Sequence, residues 1–377
     1  MPSCDSPSLS VCYLVHDLND AAVARRVSAL VMGGAVVRLA GFWRREAVDR
    51  VEKSEAVPLA RSYNAGFLQR LALVLRQLLS PDRRLREAAR ADVLLARNLE
   101  MLVLARRLAS TRQQVVYECL DIHRLMLRDD ALGAAFRLVE RLLLRRCNMI
   151  ITSSPAYARE YFRALQSFAG HIELVENKVN TLPAHWPGQG ETAQAASNPW
   201  RIGWFGMLRC PRSLAILAKA AREAEGGIEI VIAGIPSHPD LDDLEARVGQ
   251  MEGVTFLGRY RPEDLPDMYA AVDFAWCVDF FEEGLNSDWL LPNRLYESIA
   301  HGAVPIALEG VECGRWLEQR QLGLVLARAE GVVDRLVSMS RADFERARKR
   351  VEECPRDAIA FTPTDHRLLV GRLEELA

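Results

Sequence analysis

The chain has 377 residues, of which half are apolar and 26% are charged. This length and composition favour two folded domains and exclude a disordered or fibrous protein. The formal net charge of −2 and the lack of a recognisable DNA- or RNA-binding module argue against nucleic-acid binding. No apolar run is long enough to span a bilayer, the first residues lack a signal-peptide pattern, and the eight cysteines form no CxxC pair. We therefore expect a reduced, cytoplasmic protein.

The first 180 residues are predicted to form a Rossmann-like domain. Residues 10–42 contain a strand, a helix that Asp20 caps and Gly33-Gly34 ends, and a second strand. Such a βαβ unit starts a parallel sheet with a right-handed crossover. Further strands are predicted in ADVLLARN, QVVYECLD and NMIITSS, with helices between them. This alternation is typical of a doubly wound α/β domain.

Positive charge is concentrated in this first domain. Residues 1–180 contain 27 Lys and Arg against 19 Asp and Glu, a net charge of +8, whereas residues 181–377 carry −10. The segment from Asn64 to Arg90 combines apolar residues at helical spacing with six arginines. One interpretation is a helix that lies in an anionic membrane interface, on the inner face of the plasma membrane. The other is a helix whose leucines pack on the sheet and whose arginines are solvated, and the sequence leaves both open.

A second Rossmann-like domain is predicted for residues 201–360, after a linker at 181–200. The linker, TLPAHWPGQGETAQAASNPW, is rich in Gly, Pro, Ala and polar residues and has no clear period. Strands are then predicted in RIGWFG, IEIVIAG, VTFLG, VDFAWCV and AVPIAL, with helices between them. Residues 361–377 are expected to form a C-terminal helix that can return to the first domain. Two such domains place a cleft where the carboxyl ends of both sheets converge.

Five sequence blocks occur in order between about residues 150 and 310, where chance agreement at each block is unlikely to repeat five times. They are IITSSPAYARE, VENKVN, RIGWFGMLRCPRSL, VTFLGRYRPEDLPDMYAAVD and LPNRLYESIAHGAVPIAL. In this order they resemble glycosyltransferase family 4 and the related bacterial exopolysaccharide sugar transferases, and the last block resembles the family's "PxKxxExxAxGxPVV". The resemblance implies an α/β GT-B fold, two Rossmann-like domains with an interdomain cleft, and sugar transfer from a nucleotide-diphosphate donor. It favours a UDP-sugar and implies neither a bound metal nor another cofactor.

A donor diphosphate needs backbone amides at a helix start and one or two cations. Gly206 permits close backbone approach after the strand RIGWF, and Arg209 and Arg212 flank the start of the following helix. In the family loop a Lys usually aligns with Arg212, and an Arg stands where this chain has Met207. The resemblance leaves Arg209 as a replacement for that charge, and the competing interpretation is that both arginines are solvated.

Three residues of the segment NRLYES are assigned to the donor by the resemblance and by their place at a helix start. The Glu297 carboxylate is expected to accept hydrogen bonds from the ribose hydroxyls, and Asn293 and Arg294 to meet phosphate or sugar. The family's Glu-x7-Glu motif fails here because Trp289 holds the first position. Nearby acidic residues, Glu282, Glu283 and Asp288, keep a contact to the donor sugar open. Stereochemistry, retaining or inverting, also stays open.

The loop after Gly258 borders the nucleobase in such folds, so Tyr260 is a candidate to stack on it. Arg259 shares this loop, and a simple surface turn is the alternative interpretation.

On the acceptor side, a general base is expected at the carboxyl end of a strand in the first domain. One candidate cluster is His16-Asp17, and the other comprises Glu118, Asp121 and His123. The second cluster resembles the family's strand-end "xxDxHD" region, which favours Asp121 or His123. Structural roles compete with these assignments, since Asp17 can cap a helix and His16 can be a buried core histidine. The expected acceptor is a saccharide or a polyprenyl-diphosphate-linked sugar.

Other functions on the same fold remain as alternatives, because a fold alone does not determine a reaction. They are a nucleotide-sugar epimerase, a phosphorylase, and a non-catalytic subunit that binds nucleotide sugars. The missing first Glu of the motif keeps the non-catalytic alternative open.

Overall fold

The structure is a computed structural model that describes residues 8–62, 67–180, 182 and 199–377, apart from the side chains of residues 67–71. The described chain divides into two compact units. Unit 1 runs to Val175 and includes Phe361–Ala377, and unit 2 comprises Glu176–Ala360. The predicted linker lies outside the described residues except for residues 182, 199 and 200.

Unit 1 contains, among its described residues, one eight-stranded sheet of order β3-β4-β2-β1-β5-β6-β7-β8. All neighbouring strands are parallel except β3 and β4, which form an antiparallel hairpin. The strands are β1 (Ser10–Val15), β2 (Val36–Trp43), β3 (Arg50–Val51), β4 (Ser54–Arg61), β5 (Val93–Arg97), β6 (Gln114–Cys119), β7 (Met149–Thr152) and β8 (His171–Leu174). The helices are α1 (Ala21–Met32), α2 (Phe67–Leu79), α3 (Arg83–Ala88), α4 (Leu99–Leu108) and α5 (Ala131–Leu144), with a 3-10 helix at Arg124–Leu127 and a π-helix at Tyr157–Leu165.

The central strands of unit 1 are buried on both faces. Every residue of β5 and β7 is buried, which is the pattern of parallel strands covered by helices on both sides. The predicted ends of α1 are confirmed: the Asp20 side chain accepts a hydrogen bond from the backbone N–H of Ala22, and Gly33 is the C-cap. Helix α2 packs on α4, and it buries Val74 and Gln77.

Among its described residues, unit 2 contains a six-stranded, fully parallel sheet of order β11-β10-β9-β12-β13-β14. Its strands are β9 (Trp200–Leu208), β10 (Ile228–Pro236), β11 (Val254–Phe256), β12 (Phe274–Trp276), β13 (Val304–Leu308) and β14 (Leu324–Leu326). Its helices are α6 (Pro211–Glu223), α7 (Leu244–Val248), α8 (Leu265–Ala270), α9 (Asn286–Trp289), α10 (Asn293–Ala300), α11 (Glu312–Arg320), α12 (Val332–Val337), α13 (Arg341–Glu352) and α14 (Arg356–Ile359). Its core includes the buried indole rings of Trp204 and Trp276.

The last helix, α15 (Pro363–Glu374), belongs to unit 1, where it packs on α1. Gly33 at the end of α1 makes this approach possible, because a Cβ there would lie 2.3 Å from the carbonyl oxygen of His366. The buried side chains of Leu369, Val370 and Leu373 join the core of unit 1. Helix α15 therefore completes the core of the unit that contains β1 and α1.

Candidate donor and acceptor sites

In unit 2 the topological switch point lies between β9 and β12, because the chain continues from β9 to β10 on one side and from β12 to β13 on the other. Arg209 follows β9 and Asp279 follows β12. Nε and Nη2 of Arg209 lie 3.0 and 2.7 Å from Oδ2 of Asp279. The Asp279 side chain is only 6% exposed. Arg209 therefore ties the ends of the two strands together, and a donor diphosphate would have to share it with Asp279.

Arg212 lies in the first turn of α6 and is more exposed. Its Nη1 is 2.7 Å from Glu283, its Nη2 is 3.5 Å from Glu330, and its guanidinium lies 4.0 Å from the ring centroid of Phe280. All three charged side chains are about half exposed. Such surface pairs contribute about 0 to 1 kcal/mol, so an incoming phosphate can replace these carboxylates at little cost.

The chain approaches itself closely at Gly206 and Gly234, which are partners in the β9–β10 register. Both have positive φ, 110° and 144°, and a Cβ at Gly234 would lie 1.8 Å from the carbonyl oxygen of Gly206. Only glycine fits there. A Cβ on Gly206 would lie 3.9 Å from the Tyr260 hydroxyl, so the Gly206 backbone is open toward that ring.

Tyr260, Arg294 and Glu297 form an interacting group beside Gly206. Arg294 and Glu297 are three residues apart on α10 and thus share a face of the helix. Burial, and then the Glu297 charge, raise the pKa of Tyr260 to about 12, while Arg294 opposes the rise. The Nη1 atom of Arg294 is buried and has no hydrogen-bond partner among the described residues. Asn293, the first residue of α10, is exposed.

In unit 1 the switch point lies between β1 and β5. His16 follows β1 and Asn98 follows β5, and Nδ2 of Asn98 lies 3.2 Å from Nδ1 of His16. On the other side of the ring, Nε2 of His16 lies 4.0 Å from Oδ2 of Asp20. The neighbouring Asp17, whose side chain is 8% exposed, pairs with the partly exposed Arg44, with Oδ2 3.3 Å from Nε. His16 is thus held between two polar side chains at the place where ligands of open α/β sheets bind.

Glu118 has a structural environment that the sequence did not reveal. Its side chain is fully buried, with Oε1 2.5 Å from Nε of Arg26 and Oε2 3.5 Å from Nη1 of Arg97. The Tyr13 hydroxyl donates a hydrogen bond to Oε2. Burial alone would raise the pKa of Glu118, but Arg26 and Arg97 lower it overall. The prediction that Glu118, Asp121 and His123 form one cluster is therefore wrong for Glu118, whose carboxylate is buried in this ion cluster while the other two side chains are exposed.

Asp121 and His123 lie together at the edge of a cavity and are both exposed. Nδ1 of His123 accepts a hydrogen bond of 3.3 Å from the backbone N–H of Leu125 and so caps the 3-10 helix that follows.

The comparison with curated proteins decides the family. Succinoglycan biosynthesis protein ExoL of Rhizobium meliloti (strain 1021) is 44% identical to this chain over 383 residues, which cover 98% of this chain and 94% of ExoL. The chain belongs to the ExoL family. No model in a scan of protein families matches it.

Solved structures give the fold of this ExoL-family chain. Sucrose-phosphate synthase from Thermosynechococcus elongatus has a TM-score of 0.71 at 15% identity, covering 97% of this chain and 98% of that one. HepE of Anabaena in complex with UDP-glucose has a TM-score of 0.68 at 15% identity, covering 98% and 100%. The UDP-forming trehalose-phosphate synthase of Burkholderia vietnamiensis has a TM-score of 0.66 at 13% identity, also covering 98% and 100%. The predicted GT-B fold is confirmed, and ExoL, the relative that shows the family, is named as a succinoglycan biosynthesis protein.

Two residues of unit 2, Tyr269 and His301, were not singled out by the sequence analysis. The Tyr269 ring stacks on His301, with centroids 5.6 Å apart and planes 6° apart. The Tyr269 hydroxyl and Nδ1 of His301 are buried without partners among the described residues. Glu297 contributes to the raised pKa of Tyr269, after burial, so this pair adjoins the Tyr260, Arg294 and Glu297 group. In the sequence both residues lie in ordinary helical patterns. The one available signal was that a hydroxyl and an imidazole, which can both form hydrogen bonds, occupy positions that the pattern predicts to be apolar.

The structure also shows the surroundings of Trp289, which stands where the Glu-x7-Glu motif has its first Glu. Trp289 ends α9, and Oδ1 of Asp288 accepts a hydrogen bond of 3.2 Å from the backbone N–H of Gly284. Glu283 pairs with Arg212. Asp288 therefore binds the backbone of its own loop, whereas Glu283 binds an arginine that is a candidate to contact the donor phosphates. In the part of the chain that the structure describes, no three His, Cys, Asp or Glu side chains converge to hold a metal ion.

Proposed function

We propose that this chain transfers a sugar from a UDP-sugar to a saccharide or polyprenyl-diphosphate-linked acceptor in exopolysaccharide synthesis. The observation that carries the proposal is the Arg294 guanidinium beside Glu297 and Tyr260, whose buried Nη1 has no hydrogen-bond partner in the part of the chain that the structure describes. A buried cationic donor without a partner is costly, so this position favours an anionic ligand. The UDP and UDP-glucose complexes of HepE, and the UDP-forming activity in the name of the trehalose-phosphate synthase, support uridine as the nucleoside.

The proposal assigns each donor contact to a residue of unit 2. The Glu297 carboxylate accepts hydrogen bonds from the two ribose hydroxyls. Arg294 and Arg212 bind the diphosphate, Arg212 after exchange of its exposed carboxylate partners. The Gly206 backbone allows the phosphates to approach, and the Tyr260 ring lies against the base.

In the transfer step, the acceptor oxygen forms a bond to the anomeric carbon of the donor, and the bond from that carbon to the phosphate oxygen breaks. UDP leaves with the bonding electron pair, and the two arginines stabilise its developing charge. The acceptor hydroxyl loses its proton to a base. His16, held by Asn98 and Asp20 at the switch point of unit 1, is our candidate for that base.

A thermal-shift comparison of nucleotides tests the donor assignment. UDP at one hundred times its dissociation constant should stabilise the folded chain by about 2.7 kcal/mol, because it binds only that state. UDP-glucose and UDP-galactose should also raise Tm, whereas GDP and ADP at the same concentration should leave it unchanged. A larger shift with GDP or ADP than with UDP would contradict the assignment of uridine.

We also infer that unit 1 contacts an anionic membrane surface through the outer face of α2 and α3. Leu75 and Leu79 are 49% and 85% exposed, and four exposed arginines lie nearby: Arg76, Arg83, Arg84 and Arg86. Apolar side chains flanked by arginines suit an interface that contains anionic lipids. In the described residues, no helix is long and apolar enough to cross a bilayer.

Sedimentation with liposomes measures this contact. The chain should bind vesicles that contain anionic lipid, lose that binding as salt rises, and ignore neutral vesicles. Leu79→Asp should weaken vesicle binding at least threefold, whereas Leu368→Asp, at an exposed position of α15, should not. Equal binding of both variants would exclude the α2 face as the contact.

A further inference from the structure

A cavity of about 160 Å³ lies at the carboxyl ends of β5 and β6 in unit 1. Asn98 and Leu99 at the start of α4 form one side, and Phe136 of α5 lies on another. The exposed side chains of Asp121 and His123 stand at its edge. Sites that enclose a whole small-molecule ligand usually measure about 300 to 1,000 Å³. This cavity is therefore sized for a single ring of a larger ligand.

The residues around the cavity disfavour an anionic group. Three carboxylates line it, those of Glu100, Asp121 and Glu140, and none of its described lining residues is Lys or Arg. A phosphate or diphosphate would meet carboxyl groups there, without a Lys or Arg among the described lining residues to neutralise it. The same carboxylates oppose a purely hydrocarbon chain, which would remove them from water without forming hydrogen bonds.

The remaining chemistry matches a neutral hydroxylated ring. Tyr117 and Phe136 provide aromatic surface, and Ile122 and Met126 add apolar wall. The polar side chains at the edge, Asp121 and His123, can form hydrogen bonds with sugar hydroxyl groups, which both donate and accept. A monosaccharide ring has both properties, an apolar C–H face and a polar rim of hydroxyls.

The innermost wall is held in place by a hydrogen-bond network around Glu140. The Tyr117 hydroxyl donates to Oε1 of Glu140 at 2.9 Å, and the Tyr161 hydroxyl donates to Oε2 at 2.5 Å. Gln166 donates to the same Oε2. A carboxylate oxygen can accept more than one hydrogen bond, so Oε1 can also accept one from a ligand hydroxyl. Tyr161 belongs to the π-helix Tyr157–Leu165, and such helices are often found at functional sites.

The cavity adjoins the switch point of unit 1 through Asn98, which lines the cavity and also contacts His16. A ring in the cavity therefore lies next to the candidate base. We propose that this cavity binds one monosaccharide ring of the acceptor, with Asp121 and His123 as sugar-binding residues and not as the base. The proposal rests on the transferase function above, because it concerns that reaction's acceptor.

Saturation-transfer NMR with the full chain and no donor tests the proposal. The probes are the methyl glycosides of glucose, galactose and glucuronic acid. The two neutral glycosides should receive saturation from the protein, and methyl glucuronide, which is anionic, should bind at least tenfold more weakly. Asp121→Ala and Phe136→Leu should each weaken binding of the better neutral glycoside at least tenfold.

Leu138→Ala is the matched control, because Leu138 lies on α5 with Phe136 but is 53% exposed. Its sugar affinity should stay within twofold of the wild type. The proposal would be overturned if neither neutral glycoside received saturation from the protein. It would also be overturned if the two cavity variants and the control bound the sugar with equal affinity. The UDP thermal shift is measured on the same samples, so a failure of the donor assignment is recognised separately.

Discussion

Replacement of Glu118 by Gln is expected to destabilise unit 1 by about 3 to 5 kcal/mol at neutral pH. The substitution keeps the size of the side chain but removes the charge that neutralises Arg26 and Arg97. Both arginine side chains are more than nine-tenths buried. The variant leaves Arg26 without the carboxylate that it contacts, and leaves Arg97 with Asp20, at 3.4 Å, as its remaining carboxylate partner among the described residues. Urea unfolding followed by circular dichroism measures the loss of free energy.

Glu55→Gln provides the control for this prediction. Glu55 also pairs with an arginine, Arg38, at 3.7 Å, but its side chain is 73% exposed. Its substitution should change the free energy of unfolding by less than about 1 kcal/mol. Equal effects of the two substitutions would show that the Glu118 cluster contributes no more than a surface pair.

The same cluster predicts a pH dependence. The folded-state pKa of Glu118 is lowered, so its contribution to stability is present above the pKa of the unfolded chain. That contribution is lost as pH falls through the lower, folded-state pKa. Wild-type stability should therefore fall more steeply in acid than that of Glu118→Gln, and the difference between the two should shrink. A constant difference across the acid range would contradict the lowered pKa.

Glu297→Ala is expected to weaken UDP binding by about 1.5 to 3 kcal/mol, the range for hydrogen bonds to a charged group. This corresponds to a loss of affinity of about 10- to 150-fold. Arg212→Ala should also weaken binding, through the diphosphate. Because its carboxylate partners compete with phosphate, we expect its effect at the lower end of that range. Isothermal titration calorimetry with UDP gives both values.

Glu318→Ala is a suitable control for these variants, because Glu318 is an exposed residue of α11 in the same unit. Its UDP affinity should match that of the wild type. Unchanged affinity in both Glu297→Ala and Arg212→Ala, with circular dichroism showing an intact fold, would remove the donor-site assignment.

The sequence predicted the central strands well, because strands covered on both faces appear as continuous apolar runs, as in β5 and β7. Strand β4 escaped prediction. Its residues SEAVPLAR are mostly partly exposed, and Pro58 lies within it, so it shows neither an apolar run nor a clean alternation. The edge strand β8, HIEL, has no fully buried residue and was missed for the same reason.

Candidate site residues were recognisable where they lie in one short segment, as in the case of Arg294 and Glu297. Partners that are distant in the chain were not. Asp279 binds Arg209 from 70 positions away, and Glu118 meets Arg26 from 92 positions away. Side-chain direction was equally hidden, since Glu118 at the end of β6 points into the core while Asp121, three residues later, is exposed. Such pairings depend on the register of the sheet, which no single segment encodes.

The central claim, transfer of a sugar from a UDP-sugar, is tested most directly by following the labelled sugar itself. The chain is incubated with UDP-[14C]glucose or UDP-[14C]galactose and with polyprenyl-diphosphate-linked saccharides extracted from an exopolysaccharide-producing bacterium. We expect label to enter the lipid-linked saccharide fraction, with release of one UDP for each sugar transferred, and to be reduced at least tenfold with Glu297→Ala. Binding of the UDP-sugar without entry of label into any acceptor would contradict the account and favour a non-catalytic nucleotide-sugar-binding role.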